Sequence, residues 1–381
     1  MASIGIPSYY NERVSDSGSE RPSSIDQVRR QVIESMRGSS VVIPDLQCLV
    51  SHWPSATHPE IERLEEDVFR TLESIFPSLD EEKRRRKLKA SGVAFFGASW
   101  WAYASFEALR IGTYLATWLF IWDDETDSHE YSPLIYDFEE ACAFRRETMQ
   151  YLQETLSRQS TPSSLERISS NPIITNFRPV GEAVSKSCSD YQTERFMDEL
   201  RFFIEMTEEE HDYQITQRVP TIKEYTKRRM GSGGVRVCLA ISEYTRGIEI
   251  PEHVMRSRKM QTIWNETNII ICTTNDILSV KKEVDQSQID SLIPLLFIEH
   301  KSVQTAVDRA VHIVQSAIKR LDATEADILK SYASNPKLYK DISQFIEGCK
   351  YAVTGNLNWS LGSKRYGLDC QSMKNGIRIT L

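Results

Sequence analysis

The 381-residue sequence predicts an all-α fold, and three observations lead to that prediction. Apolar residues recur three and four positions apart through most of the chain after Val32, which is the spacing of one face of an α-helix. No run of alternating polar and apolar residues indicates a strand or a hairpin. No repeat with a period of about 20–50 residues stands out, so a stack of repeated units is disfavoured. We therefore expect one large helical bundle.

The elements can be followed along the chain from its start. Residues 1–25 are rich in Ser, Gly, Pro, Asn and Glu, which predicts a disordered tail before a single helical domain over 26–381. A Ser-rich stretch, 157–171, is expected to be the longest internal loop, and prolines and glycines separate the helices. Helical periodicity is found in 61–76, 94–122, 136–156, 192–210, 235–249, 255–282, 291–320 and 324–360.

Composition excludes several functional classes. The formal net charge is −8, so we expect neither a general nucleic-acid binder nor a protein held on anionic membranes. The seven cysteines form no C-x-x-C pair and the seven histidines form no H-x-x-x-H pattern, so neither disulfides nor a zinc site are predicted. The N-terminus carries no secretory signal and no apolar run is long enough to cross a bilayer, so we expect a cytoplasmic protein.

A helix predicted from about residue 94 to 127 is apolar nearly all round, which is typical of the centre of a large bundle. It ends in the acidic sequence Asp123-Asp124-Glu125-Thr126-Asp127. Carboxylates at a helix C-terminus oppose the macrodipole by about 0.3–1 kcal/mol each at exposed sites, and they repel one another. A bound cation would offset both effects.

Three of these carboxylates, Asp123, Asp124 and Asp127, form an acid-acid-x-x-acid string. Residues 123 and 127 share one helix face and 124 lies beside 127, which suits a hard cation such as Mg²⁺. The string is weak evidence alone, because Glu208-Glu209-x-x-Asp212 repeats it. A solvated acidic patch is the alternative.

A second string is far more specific: Asn275-Asp276-x-x-Ser279-x-x-Lys282-Glu283. Asn275, Ser279 and Glu283 lie four positions apart, in one line along a helix. They offer an amide oxygen, a hydroxyl and a carboxylate, which predict a site for one Mg²⁺. The alternative is an ordinary helix end at the surface.

Two further groups of residues are informative only in combination with those two strings. Arg365-Tyr366 lies near the end of the chain, and arginine suits phosphate oxygens because its guanidinium forms a planar fork. Arg228-Arg229 precede the run Gly231-Ser232-Gly233-Gly234, where a helix can break because glycine tolerates positive φ. A plain interhelical loop is the alternative for that run.

These four groups, in this order, resemble the class I terpene cyclases and look most like the single-domain fungal and bacterial type. The resemblance spans roughly residues 40–370. Arg229 precedes Asn275 by 46 residues, as the diphosphate-sensing arginine does in this family. Ser232 and Gly233 match the linker and effector positions of the family, although serine at the linker departs from the more usual acid or threonine.

The resemblance implies a class I terpenoid cyclase bundle around a central active-site cavity. It implies a prenyl diphosphate substrate, most often farnesyl diphosphate, three Mg²⁺ ions and a sesquiterpene hydrocarbon or alcohol as product. No nucleic-acid or membrane partner is implied, and the oligomeric state is unknown, with a homodimer as one option. The implied metal ligands are Asp123, Asp124, Asp127, Asn275, Ser279 and Glu283. The implied diphosphate-binding residues are Arg229, Lys282, Arg365 and Tyr366.

A cavity that holds a carbocation has to exclude water and present aromatic faces, each of which stabilises a cation by about 1–2 kcal/mol. The resemblance assigns Phe120 and Trp359 to that lining, and Phe96 is expected beside them. For Phe95 and Trp100, core packing is an equally good interpretation.

Asn268 lies two helical turns before Asn275 on the same face. A polar group at this depth could steer a water molecule or a cation. It could equally form a hydrogen bond to a neighbouring helix.

Other functions stay open on the sequence. A diterpene cyclase acting on geranylgeranyl diphosphate would differ only in the depth of the cavity. A chain-elongating prenyltransferase would carry two Asp-Asp-x-x-Asp strings, whereas here the Asn275 string stands in place of the second one. A phosphohydrolase would need no aromatic cavity. A non-catalytic helical prenyl-binding protein is opposed by the complete set of ligand side chains. Mg²⁺-dependent release of diphosphate with a hydrocarbon product separates a cyclase from a phosphatase or a scaffold.

Overall fold

Helices make up most of the molecule, as the all-α prediction requires. The computed structural model describes residues 24–127, 130–363, 366 and 374–381, without the side chains of 24–27 and 127. The helices of these ranges are α1 (Ser24–Met36), α2 (Leu46–Leu49), α3 (Ile61–Ile75), α4 (Glu82–Ala90), α5 (Val93–Trp100), α6 (Phe106–Asp127), α7 (Phe138–Leu156), α8 (Pro162–Ile168), α9 (Pro172–Thr175), α10 (Arg178–Ser187), α11 (Asp190–Ile215), α12 (Ile222–Ser232), α13 (Val235–Ala240), α14 (Ser242–Arg246), α15 (Glu252–Met255), α16 (Arg258–Asp285), α17 (Leu292–His300), α18 (Val303–Ser331) and α19 (Pro336–Gly362). The strands are β1 (Ser40–Ile43) and β2 (Ile377–Thr380), and a 3-10 turn spans Pro133–Tyr136.

α16 is the central helix of the bundle. It packs against α12, α13, α17, α18 and α19, and most of its side chains are buried on every side. α5 packs between α3, α6 and α19, and α11 packs between α7, α12 and α13. In the described part of the chain, no helix is both long enough and apolar enough to span a bilayer.

The single helix predicted over 94–127 is in fact two helices, α5 and α6, joined by a turn at Trp101–Ser105. α5 folds back onto α6 at a very close crossing: a Cβ on Gly97 would lie 2.1 Å from Oγ1 of Thr113. A sequence that is apolar all round buries more surface when it folds back on itself than when it continues straight. The periodicity that we used cannot locate such a turn.

Two other predictions about local structure need correction. The Ser-rich stretch 157–171 contains α8, which begins with a capping box between Thr161 and Ser164 and has Pro162 in its first turn. Helix α1 begins at Ser24, inside the predicted tail, and the rest of that tail lies outside the described residues.

The expectation of no strands is wrong for a small antiparallel sheet. β1 pairs with β2, with Ser40 opposite Thr380 and Ile43 opposite Ile377. The pair Asn375-Gly376, which precedes β2, has positive φ at both residues (76° and 78°) and was missed as a turn signal. Strands of four residues, placed at opposite ends of the chain, are too short to show a convincing alternation.

Candidate active site

The aspartate string lies in the last turn of α6. Asp123 and Asp124 are partly exposed, and the side chain of Asp127 lies outside the described residues. Asp123 lies at an opening of the bundle that is described below, whereas Asp124 is not among the residues that line it.

A buried arginine that was not predicted as a site residue lies beneath this helix end. Arg84 of α4 donates to the carbonyl oxygen of Ile121 (3.2 Å) and pairs with Glu125 (2.8 Å). A guanidinium at a helix C-terminus offsets part of the unfavourable interaction between these carboxylates and the helix macrodipole. A bound cation is therefore not the only source of compensating charge. The signal available in the sequence was the basic character of α4, Glu82–Ala90, which does not say which arginine turns inward.

The second string lies on α16, where Asn275, Ser279 and Glu283 follow one line and face the same opening. The Ser279 hydroxyl donates to Oε1 of Glu283 at 2.5 Å. Oε2 of Glu283 is buried and makes no hydrogen bond with the described residues. Burial, together with the neighbouring charge of Asp276, raises the pKa of Glu283 to about 7. A cation would stabilise this carboxylate, because it would supply the missing opposite charge.

The glycine-rich run interrupts the helical chain between α12 and α13. Gly234 has a φ of +67°, and its N–H bonds to the carbonyl oxygen of Gly231 (3.1 Å) rather than continuing the α-helical pattern. The carbonyl of Met230 thereby loses its helical donor, and Nδ2 of Asn268 supplies one instead (2.7 Å). Asn268 is fully buried, and its Oδ1 accepts from Cys272 (3.1 Å). Of the two roles considered for Asn268, the structure therefore shows a hydrogen bond to a neighbouring helix.

A hydrogen-bond network joins the broken helix to α16. Arg229 donates to Oδ1 of Asn275 (2.8 Å) and pairs with Asp276 (3.3 Å), which also accepts from the Tyr225 hydroxyl (2.6 Å). Nδ2 of Asn275 donates to the Tyr366 hydroxyl (2.7 Å). The structure thus brings Arg229, Asn275 and Tyr366 together. Asp276 and Tyr225 were not predicted as site residues, although Tyr225 lies one turn before Arg229 on the same helix.

Two adjoining spaces meet at this network. The outer one, which we call the polar mouth, has a volume of about 510 Å³, and the inner one, which we call the apolar cavity, about 130 Å³. Five residues line both spaces, and all five had been predicted as site residues: Asp123, Arg229, Ser232, Asn275 and Tyr366. Lys282 lines the mouth, and Gly233 lines the cavity.

Carboxylates outnumber cationic side chains in the polar mouth. The acidic residues that line it are Asp123, Glu210, Asp276, Glu283 and Asp290, and the basic ones are Arg29, Arg229 and Lys282. Within the ranges that the structure describes, no three His, Cys, Asp or Glu side chains come together as a metal cluster. A cation here would therefore also need the amide and hydroxyl oxygens of the second string.

Aromatic rings form the wall of the apolar cavity around Phe96. The ring centre of Phe96 lies 4.7 Å from that of Trp100, 5.6 Å from Phe120 and 5.2 Å from Trp359. All four residues line the cavity, whereas Phe95 packs against the core and is not among the lining residues. The indole N–H of Trp359 donates to the carbonyl oxygen of Ser91 (2.7 Å), which fixes the orientation of the ring.

One predicted residue cannot be placed, because Arg365 lies outside the described residues. Its neighbour Tyr366 is described, is buried, and holds Asn275 as stated above.

Comparison with known proteins gives one consistent result. A family profile described as "Terpene synthase family 2, C-terminal metal binding" matches residues 114–320. Sesquiterpene cyclase hepA of Aspergillus oryzae is 29% identical over 332 residues, which cover 86% of this chain and 89% of that relative. Germacrene A synthase of Nostoc punctiforme is 26% identical over 331 residues, covering 86% of this chain and 96% of that relative.

Solved structures agree on the fold. Linalool/nerolidol synthase from Streptomyces clavuligerus, in complex with 2-fluorogeranyl diphosphate, gives a TM-score of 0.69 at 18% identity, over 82% of this chain and 98% of that one. The family match covers more than half of the 381 residues and includes both the aspartate string and the Asn275 string. The chain therefore belongs to the terpene synthase family, and it is a terpene cyclase.

Proposed function

We propose that this terpene cyclase ionises farnesyl diphosphate with the help of Mg²⁺, closes the resulting carbocation into a sesquiterpene and releases diphosphate. The observation that carries the proposal is the pair of adjoining spaces, one polar and acidic, the other aromatic, which share five lining residues. The substrate has the same division, since its diphosphate is strongly charged and its C15 chain is hydrocarbon. Relatives such as hepA, which is described as a sesquiterpene cyclase, favour farnesyl diphosphate over longer chains.

The side chains present fit a set of divalent cations. The mouth carries an excess of carboxylates, and Oε2 of Glu283 is buried without a hydrogen-bond partner among the described residues. Bound Mg²⁺ would supply positive charge to the diphosphate as the C–O bond breaks. We assign three ions to two facing groups of ligands: Asp123, Asp124 and Asp127 on α6, and Asn275, Ser279 and Glu283 on α16.

In our proposal, Arg229 couples binding of the diphosphate to the freeing of the Asn275 oxygen for a metal ion. Oδ1 of Asn275 already accepts from the positively charged Arg229, so it becomes a better ligand for a cation when Arg229 bonds to another acceptor. Diphosphate oxygens are stronger acceptors for a guanidinium than an amide oxygen, because they carry negative charge and can accept two parallel N–H bonds from the planar fork. In our proposal Arg229 moves to the diphosphate together with Lys282, Tyr366 and Arg365, and these donors stabilise charge on the leaving group.

The apolar cavity protects the cation that ionisation leaves behind. Phe96, Phe120 and Trp359 present their rings within 5.2–5.6 Å of one another, so a C15 chain below the mouth would meet aromatic faces. Aromatic faces stabilise cations and exclude water that would end the reaction early. Ser232 and Gly233 lie where α12 breaks, and they line the cavity next to Arg229.

Product analysis tests the proposal directly. Purified protein is incubated with geranyl, farnesyl and geranylgeranyl diphosphate, with Mg²⁺ or with EDTA, and the organic extract is analysed by gas chromatography and mass spectrometry. A cyclic C15 product that needs both farnesyl diphosphate and Mg²⁺ supports the proposal. A cyclic C20 product would keep the mechanism and replace the substrate. Folded protein that yields no cyclic product from any of the three would contradict it.

A further inference from the structure

Asn356 is a polar residue in the wall of the apolar cavity. It lies on α19, one turn before Trp359, and is 5% exposed. Its Nδ2 is buried and has no hydrogen-bond partner in the described part of the chain. A buried donor without an acceptor destabilises a folded protein, so such a group calls for an explanation.

A second unpaired donor lies at the same crossing of helices. Trp100 also lines the cavity, and its indole Nε1 is buried with no acceptor among the described residues. α5 and α19 approach so closely here that a Cβ on Gly355, the residue before Asn356, would lie 2.9 Å from the backbone nitrogen of Trp100. Two donors without acceptors therefore belong to one part of the cavity wall.

The chemistry of the cavity limits what these donors can bind. A prenyl chain is hydrocarbon and offers no acceptor, and the neighbouring rings Phe96, Phe120 and Trp359 offer only π faces. The cavity measures about 130 Å³, which is more room than one water molecule occupies (about 30 Å³). Asn268, the other asparagine considered for such a role, already uses its amide between Met230 and Cys272.

We propose that Asn356 holds a water molecule in the apolar cavity and that this water ends the cyclisation, so that the product is a cyclic sesquiterpene alcohol. The inference rests on the proposed function and adds the class of product. A lone pair of the water oxygen forms a C–O bond with the final carbocation. The oxonium ion then loses its extra proton to an oxygen of the released diphosphate, so nothing is oxidised or reduced. Asn356 donates to the water and leaves its second lone pair available for attack.

Isotope labelling tests this assignment. The reaction is run with farnesyl diphosphate and Mg²⁺ in H₂¹⁸O, and only cyclic alcohols are counted, because acyclic alcohols arise by simple solvolysis. We expect the main product of the unaltered protein to carry one ¹⁸O. Asn356→Leu removes both hydrogen-bonding atoms at similar volume, and we expect the ratio of cyclic alcohol to hydrocarbon to fall at least tenfold while diphosphate release changes less than threefold. If Asn356→Leu does not fold, the smaller Asn356→Ala serves the same purpose.

Ser360→Ala is the matched control. Ser360 lies one turn further along α19, is fully buried, and also has a hydroxyl without a partner among the described residues, but it does not line the cavity. This variant should leave the alcohol ratio unchanged. Only hydrocarbon from the unaltered protein, or an unchanged ratio in Asn356→Leu, overturns the inference while the proposed cyclase function stands.

A crystal structure that resolves water gives a readout independent of turnover. We expect an ordered water within hydrogen-bonding distance of Nδ2 of Asn356. A dry cavity would overturn the inference even if diphosphate is released. A protein that releases no diphosphate but holds this water would contradict the proposed function and leave the water site in place.

Discussion

The two groups of oxygen side chains that we propose as metal ligands, one on α6 and one on α16, differ in how the protein prepares them. On α6, the aspartates lie in the last turn of a helix, and Asp123 and Asp124 are partly exposed. On α16, the ligands lie inside the bundle; Ser279 is 5% exposed and bonds to Glu283, and Asn275 is held between Arg229 and Tyr366. The α16 group is therefore organised by internal hydrogen bonds, whereas the α6 group lies at a partly exposed helix end with Arg84 beneath it and, in our proposal, binds metal ions.

The difference follows from where each string lies along its helix. A partly exposed carboxylate at a helix end keeps part of its hydration. A polar group in the middle of a buried helix loses its hydration, so the fold has to provide hydrogen bonds for it. Preorganised dipoles need little rearrangement when charge develops, which makes the α16 group the more rigid half of the site.

The largest fall in kcat should come from single substitutions that each remove one proposed ligand, one on α6 and the other on α16. We expect Asp123→Ala and Asn275→Ala each to lower kcat at least about 1000-fold, because each removes a metal ligand of the proposed site. They should differ in stability: Asn275→Ala also deprives Arg229 and Tyr366 of a partner, so its melting temperature should fall more. Steady-state kinetics measure kcat, and thermal unfolding measures the melting temperature.

Asp212→Ala is the matched control for the aspartate string. Asp212 ends the other acid-acid-x-x-acid string, Glu208-Glu209-x-x-Asp212. It is exposed and lines neither the polar mouth nor the apolar cavity. Its substitution should leave kcat within twofold. Near-normal turnover in Asp123→Ala or Asn275→Ala would remove the metal assignment on that side.

A smaller effect is expected where α16 supports the broken helix. Asn268→Leu leaves the Met230 carbonyl without a donor, and an unsatisfied buried group costs about 1–3 kcal/mol. If losing this hydrogen bond displaces Arg229, kcat should fall roughly 10–100-fold, since every 1.4 kcal/mol corresponds to a factor of ten. We expect a fall in kcat with little change in KM.

Thr267→Val is the control, because Thr267 is fully buried on the same helix and its hydroxyl donates to the carbonyl oxygen of Ile263 rather than to the broken helix. It should retain most of the activity. If Asn268→Leu lost stability but kept its kcat, the hydrogen bond would be structural and would not position Arg229.

The sequence predicted the line of oxygen-bearing side chains on α16 better than the contacts that hold it in place. Asn275, Ser279 and Glu283 share a face because of helical spacing, which is a local property. Tyr225, Asp276 and Arg84 act across helix contacts, and a single sequence contains no record of which helices pack together. The same limit explains the fold. Helical periodicity found α16, but the division of 291–360 into α17, α18 and α19, the turn between α5 and α6 and the pairing of β1 with β2 depend on tertiary packing.

The buried α16 group should also respond to pH in the absence of metal. The pKa of Glu283 rises from 4.5 to about 7 in the folded protein, so the folded state keeps a proton that the unfolded state loses. The free energy of unfolding should therefore fall as pH rises from about 4.5 to 7 and level off above it. At 1.36 kcal/mol per pKa unit, this rise of about 2.5 units corresponds to roughly 3 kcal/mol.

Denaturant unfolding in EDTA at several pH values between 5 and 8 measures this contribution. Glu283→Gln cannot titrate, so its stability should decline less over that range than that of the unaltered protein. Mg²⁺ with diphosphate should reverse the decline in the unaltered protein, because a bound cation favours the ionised carboxylate. Parallel pH curves for the two proteins would show that Glu283 does not ionise in this way.

The smallest effect on rate, but a clear effect on product, is expected at Phe120. This ring lies one turn before Asp123 on α6, with its centre 5.6 Å from that of Phe96 and 5.5 Å from that of Trp359, so it tests whether the more open half of the site also shapes the reaction. Phe120→Leu keeps an apolar wall but removes a π face, which is worth about 1–2 kcal/mol to a passing cation. A difference of that size changes the ratio of competing cyclisations by roughly 5- to 30-fold while overall turnover falls less.

Phe345→Leu is the control, since Phe345 is fully buried against Trp264 and lines neither space. If both variants gave the product profile of the unaltered protein, Phe120 would be ordinary core packing, and α6 would contribute ligands to the site but no control over the cation.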